Sequence, residues 1–339
     1  MPESYTEPLG QSNAFLDFQE TLSRAANVDR PILLIGERGT GKELAAAKLH
    51  YLSQRWRGPL VALNCAALAP TLLESELFGH EEGAFTGAHQ RRTGRFEAAT
   101  EGTLFLDEIA QTPTEVQEKI LRVVEYGSFE RVGSSQPVQV DTRIIGATNA
   151  DLPSLARQGG FKLDLLDRLS FDVLFVPPLR RRGEDILLLA NHFAARMAHE
   201  LGREALPQFS RRAVAQMESY AWPGNVRELR NVVERAVYRS YTATIDELVF
   251  DPFVSPFGTG ASEGIEAPAP VPAPPARVPE EPDRSLEEAV RELEVRMIRE
   301  SLAEARYNQR DAARALGLTY HQFRGRWRKY RDELAAEDD

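Results

Sequence analysis

The sequence predicts an α/β domain on a parallel sheet flanked by helices, a helical lid, and a separate all-α helix-turn-helix tail. Three observations lead there. Short β-rich runs alternate with amphipathic helical patterns through residues 1–176, helical periodicity alone fills residues 177–253, and a proline-rich stretch at 254–284 cuts off a basic C-terminal segment, 285–339.

Strands are expected at residues 31–35, 60–63, 103–106 and 142–147, each β-rich by composition, with longer helix-prone stretches between them. That alternation reads as a parallel α/β sheet. After Pro177 no strand is expected: residues 186–201, 210–220 and 226–238 carry helical periodicity and suit a small all-helical lid. Between Val254 and Arg284 eight prolines stand among Ala, Gly and Glu with few large apolar residues, the composition of an extended linker. It separates a body of about 250 residues from a tail of about 55.

A chain of 339 residues, 42% of them hydrophobic, has apolar material for a full core and a smaller appendage. The one cysteine, Cys65, excludes an intramolecular disulfide framework. The start, Met1-Pro2-Glu3-Ser4, lacks the basic and apolar blocks of a secretory signal, and no apolar run is long enough to cross a bilayer. A cytoplasmic protein is expected. The net charge of −10 argues against nucleic acid only for the chain as a whole. Within residues 306–331 eight Arg and Lys meet one acid, Asp311, so a basic module lies inside an acidic average.

Ile32-Leu33-Leu34-Ile35 runs into Gly36, Glu37, Arg38, Gly39, Thr40, Gly41, Lys42 and Glu43, then into the helix-prone Leu44-Ala45-Ala46-Ala47-Lys48. A strand, a glycine loop and a helix start are what phosphate binding requires. Unpaired backbone N–H groups and the positive helix end converge on the anion, and Lys42 adds a charge. ATP is the expected ligand. Glu43 stands where a Ser or Thr usually offers a hydroxyl to Mg²⁺, which shifts the metal to other groups. Asp107, after the run 103–106, is expected to hold Mg²⁺ through its water shell, and Glu108 to orient and deprotonate the attacking water. Thr148 and Asn149 follow the run 142–147 and suit sensing of the γ-phosphate or of water. Asn64, after 60–63, suits restraint of Glu108 until nucleotide arrives. Each of these three is also a residue type that caps a strand or helix end.

In the tail, residues 308–318 read as a helix closed by Gly317, and Thr319 opens a second helix bearing Tyr320, His321, Gln322, Arg324 and Arg328. Two short helices about a glycine turn make a helix-turn-helix, the second suited to the major groove and its arginines to phosphate. Leu286, Ala289, Val290, Leu293, Met297 and Leu302 form an apolar stripe on the preceding helix, able to pack the module or to pair two copies.

The most specific run is Glu76-Leu77-Phe78-Gly79-His80-Glu81 followed by Gly83-Ala84-Phe85-Thr86-Gly87-Ala88. Glycines at 83 and 87 free the backbone to carry an apolar-polar tip, Phe85-Thr86, that is unfavourable on an idle surface. With this run the chain resembles the AAA+ activators of sigma-54 RNA polymerase over nearly its whole length. The resemblance implies an ATPase ring, a hexamer by expectation, that opens the sigma-54 promoter complex through loops 83–88 while a Fis-type tail holds enhancer DNA. It implies Arg168 as a finger on the neighbouring subunit's nucleotide. Lys162 stands where the family has a second arginine, a point charge without the planar fork.

Trp222-Pro223-Gly224-Asn225-Val226-Arg227-Glu228-Leu229 resembles the family's second sensor and implies that Arg227 reaches the nucleotide from the lid. With the phosphate loop starting at Gly36, no receiver domain of about 100 residues is expected ahead of it. The resemblance is to members controlled from outside, and it implies a phage shock protein A-like repressor as the controlling partner. Trp56, between Arg55 and Arg57, is its expected contact, since large exposed aromatics anchor interfaces. Two rivals stay open: another ATP-driven machine such as a helicase or unfoldase, and a repressor that uses ATP only to assemble.

Overall fold

The computed structural model describes residues 7–242, 244–254, 286–305 and 308–330, the side chains of 286–289 and 292 excepted. It divides into two units, Met1–Gly258 and Thr259–Asp339. The linker expected at 254–284 lies, Val254 apart, outside the described residues.

In the first unit α1 (Asn13–Ala26) precedes β1 (Ile32–Ile35), α2 (Lys42–Tyr51), β2 (Leu60–Asn64) and α3 (Pro70–Phe78). Two-residue strands β3 (Gly79–His80) and β4 (Arg92–Thr93) and the short α4 (Arg95–Ala98) lead to β5 (Thr103–Asp107) and α5 (Thr114–Tyr126). A hairpin of β6 (Ser128–Glu130) and β7 (Pro137–Gln139) follows, then β8 (Arg143–Thr148), α6 (Leu152–Arg157), α7 (Leu163–Leu169) and β9 (Asp172–Phe175).

Five of these strands form one parallel sheet in the order β2-β5-β8-β1-β9. Because all run the same way, their C-terminal ends share one edge, the place where open α/β sheets bind ligands. Register sets Asn64 beside Asp107 and Ile35 beside Thr148. Both faces are covered. Ile32, Leu34, Phe105, Ile145 and Ala147 pack with Leu22, Ala45 and Leu49, while the alternate Leu33, Leu104, Leu106 and Ile144 pack with Phe78, Phe96, Ile120 and Leu165. A strand buried on both faces needs a continuous apolar run, as β1, β5 and β8 have, and the edge strand β2 is legible from its run at 60–63 although only Leu63 is buried. The fifth, β9, is not among the expected strands. It lies at the sheet edge with only Leu174 buried and Phe175 70% exposed, although residues 173–176 are a continuous apolar run.

The lid holds α8 (Gly183–Glu200), β10 (Gln208–Phe209), α9 (Arg211–Ser219), α10 (Asn225–Arg239) and β11 (Thr244–Ile245) around Trp222, Leu189, Met217, Leu229 and Val233. The parallel pairing of β10 with β11 corrects the expectation that strands end at Pro177. Two residues per strand are too few to leave a periodicity, yet they fasten the chain beyond α10 to the start of α9, where the Ser210 N–H donates to Ile245 O at 3.0 Å. No helix among the described residues is long and apolar enough to cross a membrane.

In the second unit α11 (Leu286–Glu304), α12 (Gln309–Ala315) and α13 (Tyr320–Lys329) pack around Ile298, Leu302, Ala312, Phe323 and Tyr330. Of the expected stripe on α11, Leu302 is buried but Val290, Leu293 and Met297 are 46–48% exposed; the side chains of Leu286 and Ala289 lie outside the described residues. The packing face is Val295, Ile298 and Leu302 instead. Both sets have helical spacing, so periodicity alone does not choose between them.

Candidate nucleotide site and associated surfaces

β1 delivers the chain to residues 36–42 at the ligand edge of the sheet, where the Gly36 N–H donates to Thr148 O at 3.1 Å. Gly39 and Gly41 take φ of +78° and +98°, left-handed conformations that side chains rarely tolerate. Gly41 is the N-cap of α2 and offers no capping side chain, so the first N–H groups of that helix stay available to an anion. The buried Lys42 Nζ donates to Gly36 O (2.9 Å) and Glu37 O (3.3 Å), and Thr40 Oγ1 donates to Glu37 O (2.9 Å). Burial pushes the Lys42 ammonium down from its usual range, against the opposing pull of Glu108 and Asp107. Glu43 is exposed on the first turn of α2.

At the end of β5 the Asp107 Oδ1 accepts the Glu108 N–H at 3.0 Å. Glu108 itself sits at φ +51°, an uncommon conformation for a residue with a side chain and one that clusters at functional sites. Asn64 is exposed and its Oδ1 accepts the Ala66 N–H (2.9 Å), capping the turn Cys65–Ala67; no hydrogen bond joins it to Glu108 among the described residues. Thr148 is buried and accepts the Ala150 N–H (3.0 Å), while Asn149 is exposed beyond it.

The lid comes to the same loop. The Arg227 N–H donates to Gly39 O (3.3 Å), and a Cβ on Gly39 would strike Gly224 O at 2.2 Å, so only glycine admits this approach. Two groups that sequence reasoning missed fasten it. Asn225, fully buried with φ +51°, accepts the Leu179 N–H (2.8 Å) and donates to Glu37 Oε2 (3.0 Å) and Arg38 O (3.1 Å). Arg180 grips the Glu37 carboxylate with both terminal nitrogens, at 2.5 and 2.8 Å. The Arg180 hydrogen bonds, helped by Asn225, hold Glu37 down to about 2. Glu37 was expected among the phosphate-cradling residues, but its side chain is turned to the lid and only its backbone stays in the loop. Arg180→Ala leaves this carboxylate uncompensated beside the phosphates, and ATP affinity is expected to fall about fivefold; adding Glu37→Gln should restore it. Equilibrium binding of a fluorescent ATP analogue to the two variants checks the pair, and no recovery in the double variant would reject the charge argument.

Beside Thr40 and Gly41 an apolar pocket is lined by Leu9, Phe15, Leu44, Val176, Phe193 and Val226. Its N-terminal wall is held by Asp185 of α8, which accepts the Gln11 and Ser12 N–H groups (2.6 and 2.9 Å) and pairs with Arg182 (2.8 Å). Burial raises the Asp185 carboxyl, yet these hydrogen bonds outweigh it and the net shift is downward. The pocket joins residues far apart in sequence, so no single motif announces it.

Arg168 and Lys162 both pair with α5: Arg168 Nε with Glu125 (2.9 Å) and Lys162 Nζ with Glu118 (2.6 Å). The run 83–88 stands on the antiparallel pair β3–β4. Its base is closed by the Gly83 N–H donating to Ala88 O (2.8 Å), with Ala88 buried and Gly83 and Gly87 at positive φ. Phe85 is 42% exposed with its ring edge-on to His80 at 5.0 Å, and Thr86 is exposed. Trp56 is 53% exposed with the Arg57 guanidinium 4.9 Å over its ring. Arg55 anchors this turn by bridging Asp29 (2.7 Å) and Asp141 (2.6 Å).

In the second unit Gly317 turns the chain at φ +65° and Thr319 starts α13 with a capping box: its Oγ1 accepts the Gln322 N–H, and Gln322 Oε1 accepts the Thr319 N–H at 3.0 Å. His321, Arg324 and Arg328 are exposed, and Tyr320 is half-buried under Arg310. The carbonyl of Gln322, expected at the DNA, is thus engaged in the cap.

The strand order, the glycine loop, the carboxylates ending β5 and the lid on that loop define a AAA+ P-loop NTPase domain, followed here by a helix-turn-helix. Family models agree along the chain. Residues 9–174 match the sigma-54 interaction domain, 180–258 the AAA+ ATPase lid domain and 289–330 the Fis family of bacterial regulatory proteins. The chain is 50% identical over 332 residues to the Psp operon transcriptional activator of Escherichia coli K12, covering 97% of this chain and 99% of that one. It is 49% identical over 229 residues to the regulatory protein AtoC of the same organism, covering 68% of this chain and 50% of AtoC. The crystal structure of NtrX from Brucella abortus in complex with ATP matches at a TM-score of 0.68 and 32% identity, over 96% of this chain and 69% of NtrX. The chain belongs to the sigma-54-dependent transcription activators, with a Fis-type helix-turn-helix for DNA.

Proposed function

We propose that the protein hydrolyses ATP and couples loss of the γ-phosphate to movement of loops 83–88 against sigma-54, remodelling a closed promoter complex into an open one. The reading divides the chain into an ATPase subdomain at 1–176, a lid at 177–253, a linker at 254–284 and a DNA-binding tail at 285–339. It rests above all on one convergence: the loop 36–42, the Asp107 and Glu108 carboxylates and the lid backbone at Arg227 meet along one sheet edge.

In this reading the backbone of residues 36–41 and the Lys42 ammonium hold the phosphates. Asp107 fits Mg²⁺, because one carboxylate oxygen serves the Glu108 N–H while the other has no hydrogen-bond partner among the described residues. Bound there, Mg²⁺ would neutralise charge on the phosphates. Glu108 takes the proton of the attacking water, Thr148 and Asn149 sense the γ-phosphate, and Asn64 trades its cap for Glu108. Arg227 answers from the lid. Copies associate into a ring, a hexamer by analogy, in which Arg168 leaves Glu125 to stabilise charge on the neighbour's nucleotide and Lys162 supplies a weaker second cation. The decisive experiment is ATP-dependent isomerisation of a sigma-54 holoenzyme promoter complex by the purified protein. Failure with measurable ATP turnover would favour another AAA+ machine.

By analogy with the E. coli relative, the controlled genes form a phage shock operon, and the controlling partner is a phage shock protein A-like repressor docking at Trp56. Trp56→Ala is expected to raise the repressor concentration needed for half-inhibition of ATP turnover more than tenfold, with uninhibited turnover within twofold of wild type. Unchanged inhibition removes Trp56 from the contact.

A further inference from the structure

Gly325 stands in the middle of α13, where glycine is the worst helix former after proline. Nothing among the described residues asks for it. Its φ is not left-handed, it is exposed, and a Cβ built there meets no atom within 4 Å. Alanine would fit and would strengthen the helix, so no described residue of the protomer gives the reason for glycine.

The surroundings indicate one. His321, Arg324, Gly325 and Arg328 follow one another at helical spacing on an exposed stripe, and neither arginine makes a hydrogen bond or ion pair to a described residue. The rest of the helix is occupied. Phe323 is buried, Arg326 Nε bonds Glu294 at 3.4 Å, and Gln322 serves the cap. The stripe is therefore a bare length of backbone ringed by two guanidinium groups and an imidazole. Glycine within an element is used where another molecule must approach the backbone closely, and this rim of charge suits a polyanion.

We propose that Gly325 sets the depth at which α13 enters the major groove of duplex DNA. Without a Cβ the helix backbone lies against the base edges, and that depth brings His321 to bases and Arg324 and Arg328 to bases or flanking phosphates. The proposal rests on the reading of α12 and α13 as the DNA-binding module. Depth of entry affects base contacts more than phosphate contacts, so it governs discrimination rather than general affinity.

The test uses the full chain carrying Gly325→Ala and two probes of equal length: a duplex selected by the wild-type protein from a random library, and an unselected duplex. Amide exchange across Tyr320–Lys329 should slow about fourfold, because alanine favours the helix. Affinity for the selected duplex should fall at least tenfold, while affinity for the unselected one stays within twofold. A stabilised helix with weakened specific binding is an outcome that a merely structural glycine cannot produce. Selected-duplex binding within twofold of wild type, or equal losses on both duplexes, would overturn the proposal. Arg328→Ala separates the two readings: it should weaken both duplexes, and if it weakens neither, the assignment of α13 to DNA fails rather than the role of the glycine.

Discussion

Asp107→Ala is expected to lower the ATP turnover number at least 10³-fold while ATP binding changes only a few-fold. Binding survives because the amides at the start of α2, the bare N-cap at Gly41 and the Lys42 ammonium do not depend on β5. Turnover does not survive, because Glu43 is exposed and offers no hydroxyl to the metal, leaving Asp107 as the group that fits it. The same substitution also frees the Glu108 N–H, since Asp107 Oδ1 is its acceptor. Asp107→Asn separates these two effects: it keeps an acceptor for Glu108 but removes the charge. Equal losses in the two variants, measured as phosphate release against nucleotide binding, would assign the loss to the metal. Turnover retained in Asp107→Asn would instead make Asp107 a support for the strained Glu108, and near-normal turnover in Asp107→Ala would end the assignment altogether.

How far the sequence reaches depends on whether a feature is local. The four strands, the glycine loop and the start of a helix at Thr319 are all written in consecutive residues, and the structure has each of them. β9 is missing from the reading although its apolar run, 173–176, matches that of the other edge strand, β2, and each buries a single side chain, so the run alone does not separate them. The apolar face of α11 misleads because two helical stripes coexist on it, and only packing against Phe323 and Ala312 selects between them. Least legible is the join between phosphate loop and lid. Glu37 belongs to the glycine motif by position, yet its carboxylate answers to Arg180 and Asn225 nearly two hundred residues away in the case of Asn225, 188 by count. A motif specifies backbone conformation at its own residues. It does not specify which distant partner its side chains meet.

Thr86→Ala should leave ATP turnover within twofold of wild type and reduce open-complex formation more than a hundredfold. The loop 83–88 is closed at its base by the Gly83 to Ala88 hydrogen bond and by the pairing of β3 with β4, none of which uses the Thr86 side chain. Thr86 is exposed at the tip, so its removal has no folded-state cost of the kind that follows from cavities or lost caps. Phe85 is a poorer probe, since its ring rests on His80, itself bonded to Ser75 of α3, and truncating it disturbs the loop's seat as well as its tip. An effect confined to Thr86 must therefore arise at the contact the tip makes with its partner. The measurement pairs phosphate release with ATP-driven isomerisation of the sigma-54 promoter complex, using the same preparation. Turnover falling in step with isomerisation would mean that the tip takes part in the ATP cycle itself. Isomerisation at the wild-type level would mean that Thr86 is not where the work of the nucleotide site is delivered.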